Sequence, residues 1–475
     1  MLATLINHPV QKGIFPDSLK VAKVIPIFKS GDKTVITNYR PISLLNTFSK
    51  IYEKVILRRF ENFLAKNKIL YDGQFGFRKH RSTQLARVSF LDKLTEALDK
   101  NEFVISLFID LSKAFDTVDH AILLGKLHHY GIRGLAHDLM ASYLTNRSQY
   151  VEMNGVQSSC SKIMCGVPQG SILGPMLFLL YINDLPCCTK LLQFFLFADD
   201  TTILFSCHSL EDLIRTVNNE LVYLTDWFSI NKLSLNVSKT NYMLFSGHNS
   251  VSSNLDILLC NRSVLRVQST KFLGIEIDEK LSWKNHIQII QKKLSTANYI
   301  LRNIRHKINQ TTALKIYDIM ILPHLTYCNL IWGNACKTYL QNIYRLQKRA
   351  LRVCCDDKKL NSEALFTQFR KLTVKDINCM QTAQLVHRFY HNINDIPIRI
   401  STIFEKTSDI HHHLTRAADN MGLFTYFGRL NLRKSCTKVY APLLWNKIPI
   451  LLRQIKTIAL FKKRYKILLL NQPYK

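Results

Sequence analysis

Apolar positions follow two different periods along this chain, and the change of period near residue 280 divides it. Before that point, short apolar runs are bounded by turn residues. Val21-Ala22-Lys23-Val24-Ile25-Pro26-Ile27-Phe28 reads as a strand stopped by Lys29-Ser30-Gly31-Asp32. Pro26 cannot donate to a ladder, so an edge strand is predicted. Phe103–Ile109 reads as a strand buried on both faces, ending abruptly at Asp110. Then 191–198, Asp199-Asp200 and 201–205 read as strand, two acids at a turn, strand. The stretch 149–153 alternates into Asn154-Gly155, a hairpin signal. Helical spacing appears through Ile51, Val55 and Ile56, around 119–130 and 134–145, from about 172 to 183, and over 209–230 with Ser209 as cap. Asp116 and Asp119 are expected to cap the helix near 119. Short strands are expected at 241–246, 255–260 and 270–277.

Past 280 the spacing becomes helical. Trp283, Ile287, Ile290, Leu294, Ala297, Leu301 and Ile304 form one apolar stripe, and Tyr339, Ile343, Leu346, Ala350 and Val353 a second. Lys292, Lys293, Arg302, Arg305, Lys348, Arg349 and Arg352 lie off the stripes. Strands followed by helices make the fold class α+β.

Composition sharpens this. The 475 residues are 47% hydrophobic, which excludes a largely disordered chain. Lys and Arg number 64 against 34 Asp and Glu, a net charge of +30. Residues 1–280 hold 31 basic and 25 acidic side chains; residues 281–475 hold 33 and 9. Most of the excess therefore sits in the second part, which reads as a surface for a polyanion. The longest apolar runs are far shorter than the ~20 residues of a spanning helix, so nucleic acid is favoured over a membrane. The twelve cysteines show no C-x-x-C spacing and fit single reduced thiols inside a cell. His411-His412-His413 is too isolated for a metal site and reads as a polar loop.

Asp110 ends one apolar strand, and Asp199 and Asp200 sit between two others. Burying carboxylates at strand ends is costly without compensation. Three of them tolerate one another if they share divalent metal, and hard oxygen ligands with open positions suit Mg²⁺, which also takes substrate phosphates. The alternative for Asp199-Asp200 is a turn with two solvated acids.

These residues carry a family resemblance. Phe108-Ile109-Asp110-Leu111-Ser112-Lys113-Ala114-Phe115-Asp116, Gly166-Val167-Pro168-Gln169-Gly170-Ser171-Ile172-Leu173-Gly174-Pro175 and Phe197-Ala198-Asp199-Asp200 resemble the reverse transcriptases of non-LTR, LINE-type, jockey-like retrotransposons. Tyr39-Arg40-Pro41-Ile42-Ser43-Leu44, Gln74-Phe75-Gly76-Phe77-Arg78, Leu233-Ser234-Leu235-Asn236-Val237-Ser238-Lys239-Thr240 and Phe272-Leu273-Gly274-Ile275 match in the same order.

The resemblance implies a right-hand polymerase: fingers and palm over 8–280, a helical thumb over 281–345, and a basic, mainly helical C-terminal region over 346–475. It implies that Asp110, Asp199 and Asp200 are the catalytic, metal-binding residues, with two Mg²⁺ ions or Mn²⁺ in their place. Phe115 matches the bulky residue beneath the incoming sugar, where a ring would collide with a 2′-hydroxyl. Gln169 and Gly170 match the loop that approaches the new base pair. Lys29 and Arg40 match finger residues that hold the triphosphate, and Lys239 the lysine proposed to protonate the leaving pyrophosphate.

The implied reaction is RNA-directed DNA synthesis from a primer 3′-hydroxyl. Its partners would be an RNA template, a DNA primer and deoxynucleotides, without a membrane, in a ribonucleoprotein of nucleus and cytoplasm. Two other readings stand beside it. A catalytically inactive nucleic-acid-binding remnant would follow from the upstream finger motifs and endonuclease expected before Gly13; the chain reads as beginning inside a longer polyprotein. A two-metal nuclease would use similar carboxylates but leaves Phe115 and the Gln169-Gly170 loop without a purpose.

Overall fold

The computed structural model describes residues 2–247, 255–356, 360–393, 396–410 and 421–471. His411-His412-His413 lies outside them. Two sheets organise the first part. One has strands Tyr39–Leu44, Val21–Phe28 and Ser148–Met153 in that spatial order, with the short strands Val156–Gln157 and Ser161–Lys162 attached to the last. The other runs Leu265–Arg266, Asn241–Phe245, Phe103–Ile109, Asp200–Cys207, Gln193–Phe197.

The second sheet puts the expected two-faced strand in its middle. Phe103–Ile109 pairs antiparallel with Asn241–Phe245 on one side and Asp200–Cys207 on the other. Its alternation then serves two cores. Ile105, Leu107 and Ile109 join a core with Phe178, Leu213 and Val217, from the helices Gly174–Tyr181 and Leu210–Ile230. Val104 joins a second core with Phe90, Leu94 and Leu98 of the helix Thr83–Asp99. Apolar residues at both parities are what burial on both faces requires.

Several expectations change in detail. Val21–Phe28 is not an edge strand: it lies between two neighbours. Pro26 is tolerated because the parallel pairing with Ser148–Met153 stops at Val24, while the antiparallel pairing with Tyr39–Leu44 continues to Phe28. The strand expected at 270–277 is a hairpin, Ser269–Phe272 with Ile275–Asp278, turning at Leu273 and Gly274, which both have positive φ. At 255–260 only Leu258–Leu259 is strand, paired with Arg262–Ser263. Asp119 caps the helix His120–His129, accepting from the Ile122 amide, but Asp116 does not; it accepts from Gln169.

The first helical stripe lies on Lys284–Ile304, with Ile287, Ile290, Leu294, Ala297 and Leu301 buried. The second lies on Lys337–Cys354 but is rotated. Its buried face is Ile343, Gln347, Ala350, Leu351 and Cys354. Gln347 faces inward because its amide is fully used: it donates to Leu372 O and Tyr317 Oη and accepts from the Val374 amide. Residues from Ile275 to Leu469 form a single core with Val88, and the boundary at 345/346 falls inside the helix Lys337–Cys354. The twelve cysteines form no disulfide, and among the described residues no helix is long and apolar enough to cross a membrane.

This core contains an acid-sensitive group. His387 is fully buried, its Nε2 bonded to Ile455 O and its ring stacked 4.4 Å from Phe461. Burial is the largest cause pushing its pKa down to about 4. The folded state therefore favours the neutral ring. That contribution is complete above the unfolded pKa near 6.5 and is lost as pH falls towards 4. We expect the thermal midpoint to drop over this interval, and His387→Gln to be less stable at neutral pH but to show a shallower acid loss. Parallel pH profiles for parent and variant would contradict the assignment.

Candidate active site

Three chain segments end at one corner of the second sheet. Register places Ile109 opposite Thr201, so Asp110 follows beside Asp200, the first residue of Asp200–Cys207. Phe197 pairs with Asp200, which leaves Ala198 and Asp199 as the two-residue turn. Ala198 has φ 56°, a conformation that costs an alanine on the order of 1 kcal/mol.

Neighbouring backbone holds that turn. Gln74 is buried, and its Oε1 accepts from the Ala198 amide at 3.0 Å and the Gly76 amide at 2.8 Å. A Cβ on Gly76 would stand 2.3 Å from the Ala198 nitrogen, so only glycine permits the approach. Gln74-Phe75-Gly76-Phe77-Arg78 had no role in the sequence reading beyond the resemblance; its work is to brace the hairpin. Asn236 was also missed. It binds Asp110 twice, through its amide to Asp110 O (2.9 Å) and its side-chain Nδ2 to Asp110 Oδ2 (2.9 Å). Its only sequence signal was membership of the motif that ends at Thr240, whose hydroxyl accepts from the Asp110 amide.

The carboxylates feel one another. Asp200 is pushed up to about 6, first by burial and then by Asp199 and Asp110. Asp199 is also raised, again mainly by burial and with Asp110 contributing, while Arg40 and Lys29 oppose the shift. Both side chains reach solvent, so the burial is crowding at a corner and not enclosure. Three hard oxygen donors at one corner, with the carboxyls of Asp199 and Asp200 raised by burial and acidic neighbours, fit a divalent cation by their chemistry. They do not converge as placed: among the described residues no group of three His, Cys, Asp or Glu is arranged to hold a metal ion. Ligation from this geometry requires side-chain rearrangement.

The other expected residues surround this corner. Lys29, just past the strand Val21–Phe28, and Arg40, on the neighbouring strand Tyr39–Leu44, are exposed and within electrostatic reach of Asp199. Gln169 donates from Nε2 to Asp116 Oδ1 at 2.9 Å, and its carbonyl accepts from the Ser43 amide at 2.7 Å. Gly170 has φ 120°, and a Cβ there would meet Ser43 O at 2.6 Å. The loop is thus pinned to the strand that carries Arg40. Beneath it Glu53, fully buried and unremarked in the sequence reading, accepts from the Ile172 and Leu173 amides at 2.7 and 3.0 Å. Phe115 is half-buried, stacked 4.4 Å from Phe178 and edge-on to Phe77 at 6.3 Å. Lys239 is exposed at the turn that follows Asn236.

A strand-end aspartate thus lies beside a two-aspartate hairpin, with Lys29 and Arg40 within electrostatic reach. Residues 27–277 match the family model described as reverse transcriptase (RNA-dependent DNA polymerase), and the chain belongs to that family. Its similarity runs to the non-LTR elements. It is 32% identical over 365 residues to the "RNA-directed DNA polymerase from mobile element jockey" of Drosophila melanogaster, covering 74% of this chain and 39% of that protein. It is 30% identical over 373 residues to the "Probable RNA-directed DNA polymerase from transposon BS" of the same species, covering 75% and 40%. The chain thus spans about two fifths of the length of these relatives. Among solved structures, apo telomerase from Candida tropicalis aligns with 78% of this chain and 65% of its own, at 12% identity and a TM-score of 0.45.

Proposed function

We propose that this chain is an RNA-directed DNA polymerase of a non-LTR retrotransposon, adding deoxynucleotides to a primer 3′-hydroxyl on an RNA template. The observation that carries the reading is the meeting of Asp110, Asp199 and Asp200 at one sheet corner, with Lys29 and Arg40 acting on Asp199. Fingers and palm are assigned to 8–280 and the thumb to a unit starting at 281, with the basic C-terminal region continuing from it across 345. The setting would be a ribonucleoprotein of nucleus and cytoplasm.

Asp110, Asp199 and Asp200 would hold two Mg²⁺ ions, or Mn²⁺; bound there, they supply activation of the attacking hydroxyl and charge stabilisation at the leaving oxygen. Lys29 and Arg40 bind the triphosphate, Arg40 by its planar fork. Gln169 and Gly170 form the surface against which the nascent base pair is positioned. Lys239 is the proton donor to departing pyrophosphate. With these groups fixed in place, catalysis is mostly orientation and electrostatics.

Primer extension on an RNA template with deoxynucleotides and Mg²⁺ tests the reading; no extension by the folded chain would leave the inactive-remnant alternative. The same assay tests Phe115. Its ring rests on Phe178 and cannot recede. Phe115→Ala is therefore expected to accept ribonucleotides at least about tenfold more readily relative to deoxynucleotides, the discrimination a single steric contact supplies. Unchanged discrimination in an active variant would remove Phe115 from sugar selection.

A further inference from the structure

The strand Gln193–Phe197, which leads into the paired aspartates, is the edge of its sheet. Its outer backbone groups need other partners. Part of the edge is covered by residues 73–75: the Leu196 amide donates to Gly73 O at 2.9 Å and the Phe75 amide to Leu196 O at 2.8 Å. The carbonyl of Phe194 is met from much farther along the chain. Arg399 Nη1 donates to it at 3.0 Å, beside Tyr71 Oη at 3.2 Å. Arg399 Nη2 donates to Tyr71 Oη, and the guanidinium lies over the Tyr71 ring at 5.0 Å and the Phe195 ring at 5.3 Å. The Arg399 amide donates to Asp72 Oδ2 at 3.0 Å, and Asp72 also pairs with Arg81.

Resting on the polymerase reading above, we infer that Arg399 is a positioning residue for nucleotide addition: a clamp from the C-terminal region that fixes the edge strand bearing Asp199 and Asp200. It acts at two points. It fastens Phe194 directly, four residues before the turn. It also locks Tyr71 and Asp72, which begin the segment that ends in Gln74 and Gly76 against Ala198. A planar guanidinium suits the task because it bonds two acceptors in its plane while stacking on rings. Part of the positive charge beyond residue 280 is therefore spent inward. Arg433, buried, donates to Asp92 on the helix Thr83–Asp99, and the exposed Arg429 donates from its amide to Asp99 Oδ2 and from Nε to Asp99 O at the end of that helix.

The test compares Arg399→Ala with Arg429→Ala in the full chain, using amide hydrogen exchange and steady-state nucleotide addition. Arg399→Ala should speed exchange across 193–200 at least about tenfold. It should also lower kcat about 10–100-fold, the scale of a small misplacement of reacting groups, with KM for template–primer unchanged. Arg429→Ala should leave 193–200 and kcat as in the parent while loosening the end of Thr83–Asp99. Should the alanine variant lose its overall fold, Arg399→Lys replaces it; the ammonium cannot serve both acceptors in one plane, and faster exchange at 193–200 is again expected. Parent-like exchange at 193–200 in the Arg399 variant would overturn the clamp, as would an identical response to Arg429→Ala. A parent that exchanges as expected but adds no nucleotide would instead overturn the polymerase reading, and the exchange comparison would still decide whether Arg399 holds the hairpin.

Discussion

Asp200→Asn and Asp110→Asn are each expected to abolish nucleotide addition, by roughly 10³-fold or more, while leaving template binding nearly intact. The magnitude follows from removing a charge from a preorganised electrostatic site. The amide is nearly isosteric with the carboxylate, so the backbone register that joins Asp110 to Asp200 should survive. For Asp200 the effect on stability should have the opposite sign. Its carboxyl is raised to about 6 by burial and by its two acidic neighbours, so the ionised form that prevails at neutral pH opposes folding. That opposition is absent below the unfolded carboxylate pKa near 3.8 and complete once pH exceeds about 6. Asp200→Asn removes it, so the thermal midpoint at pH 7 should rise slightly as activity disappears, a trade typical of groups kept for function. Single-nucleotide addition, template anisotropy and thermal unfolding on one preparation decide the matter. A variant that loses template affinity in step with synthesis would show that these acids serve folding or binding instead.

Deleting residues 346–475 is expected to destroy the core that runs from Ile275 to Leu469 and, with it, even single nucleotide addition. From sequence, this region reads as a basic face gripping duplex phosphates, and its loss would flatten the salt dependence of binding and reduce processivity while sparing single nucleotide addition. The packing argues otherwise. The cut falls inside Lys337–Cys354 and removes Gln347, Ala350, Leu351 and Cys354 from the face that meets Lys284–Ile304 and Gln310–Met320. Truncating one buried leucine costs about 2–5 kcal/mol, against a net stability of about 5–15 kcal/mol for a whole domain. The deletion also removes Trp445, Phe461 and Tyr465 from the core and Arg399 from the hairpin. Limited proteolysis should find 281–345 cleaved throughout, and extension assays should find no product. A deletion variant with parent-like protection and parent-like single addition would restore the picture of a dispensable tail.

The contrast between these two cases shows where the sequence was informative. Asp110, Asp199 and Asp200 were legible because strand patterning is local. An apolar run with residues for both faces, stopped by an acid, has few other readings, and the ordered motifs fixed the family. Phe103–Ile109, the acid-tipped hairpin and the first helical stripe followed from periods of two and 3.6, and the second stripe gave its helix though not its buried face. The braces were not legible. Gln74, Asn236, Glu53 and Arg399 act through a few hydrogen bonds to groups distant in sequence, and Gly76 through a close backbone approach; such contacts leave no period and no composition bias behind. The same holds for Gln347, whose inward turn depends on finding Leu372 O, Tyr317 Oη and the Val374 amide in the same place. Net charge left a related gap: a count of arginines does not distinguish a guanidinium facing solvent from one capping a carbonyl. The chain's local pattern thus determined its elements, its family and the identity of its acids. Tertiary structure alone decided which edge strand needed fastening and which distant donors fasten it, because an unpaired backbone group is defined only once the sheet has formed and its edge is known.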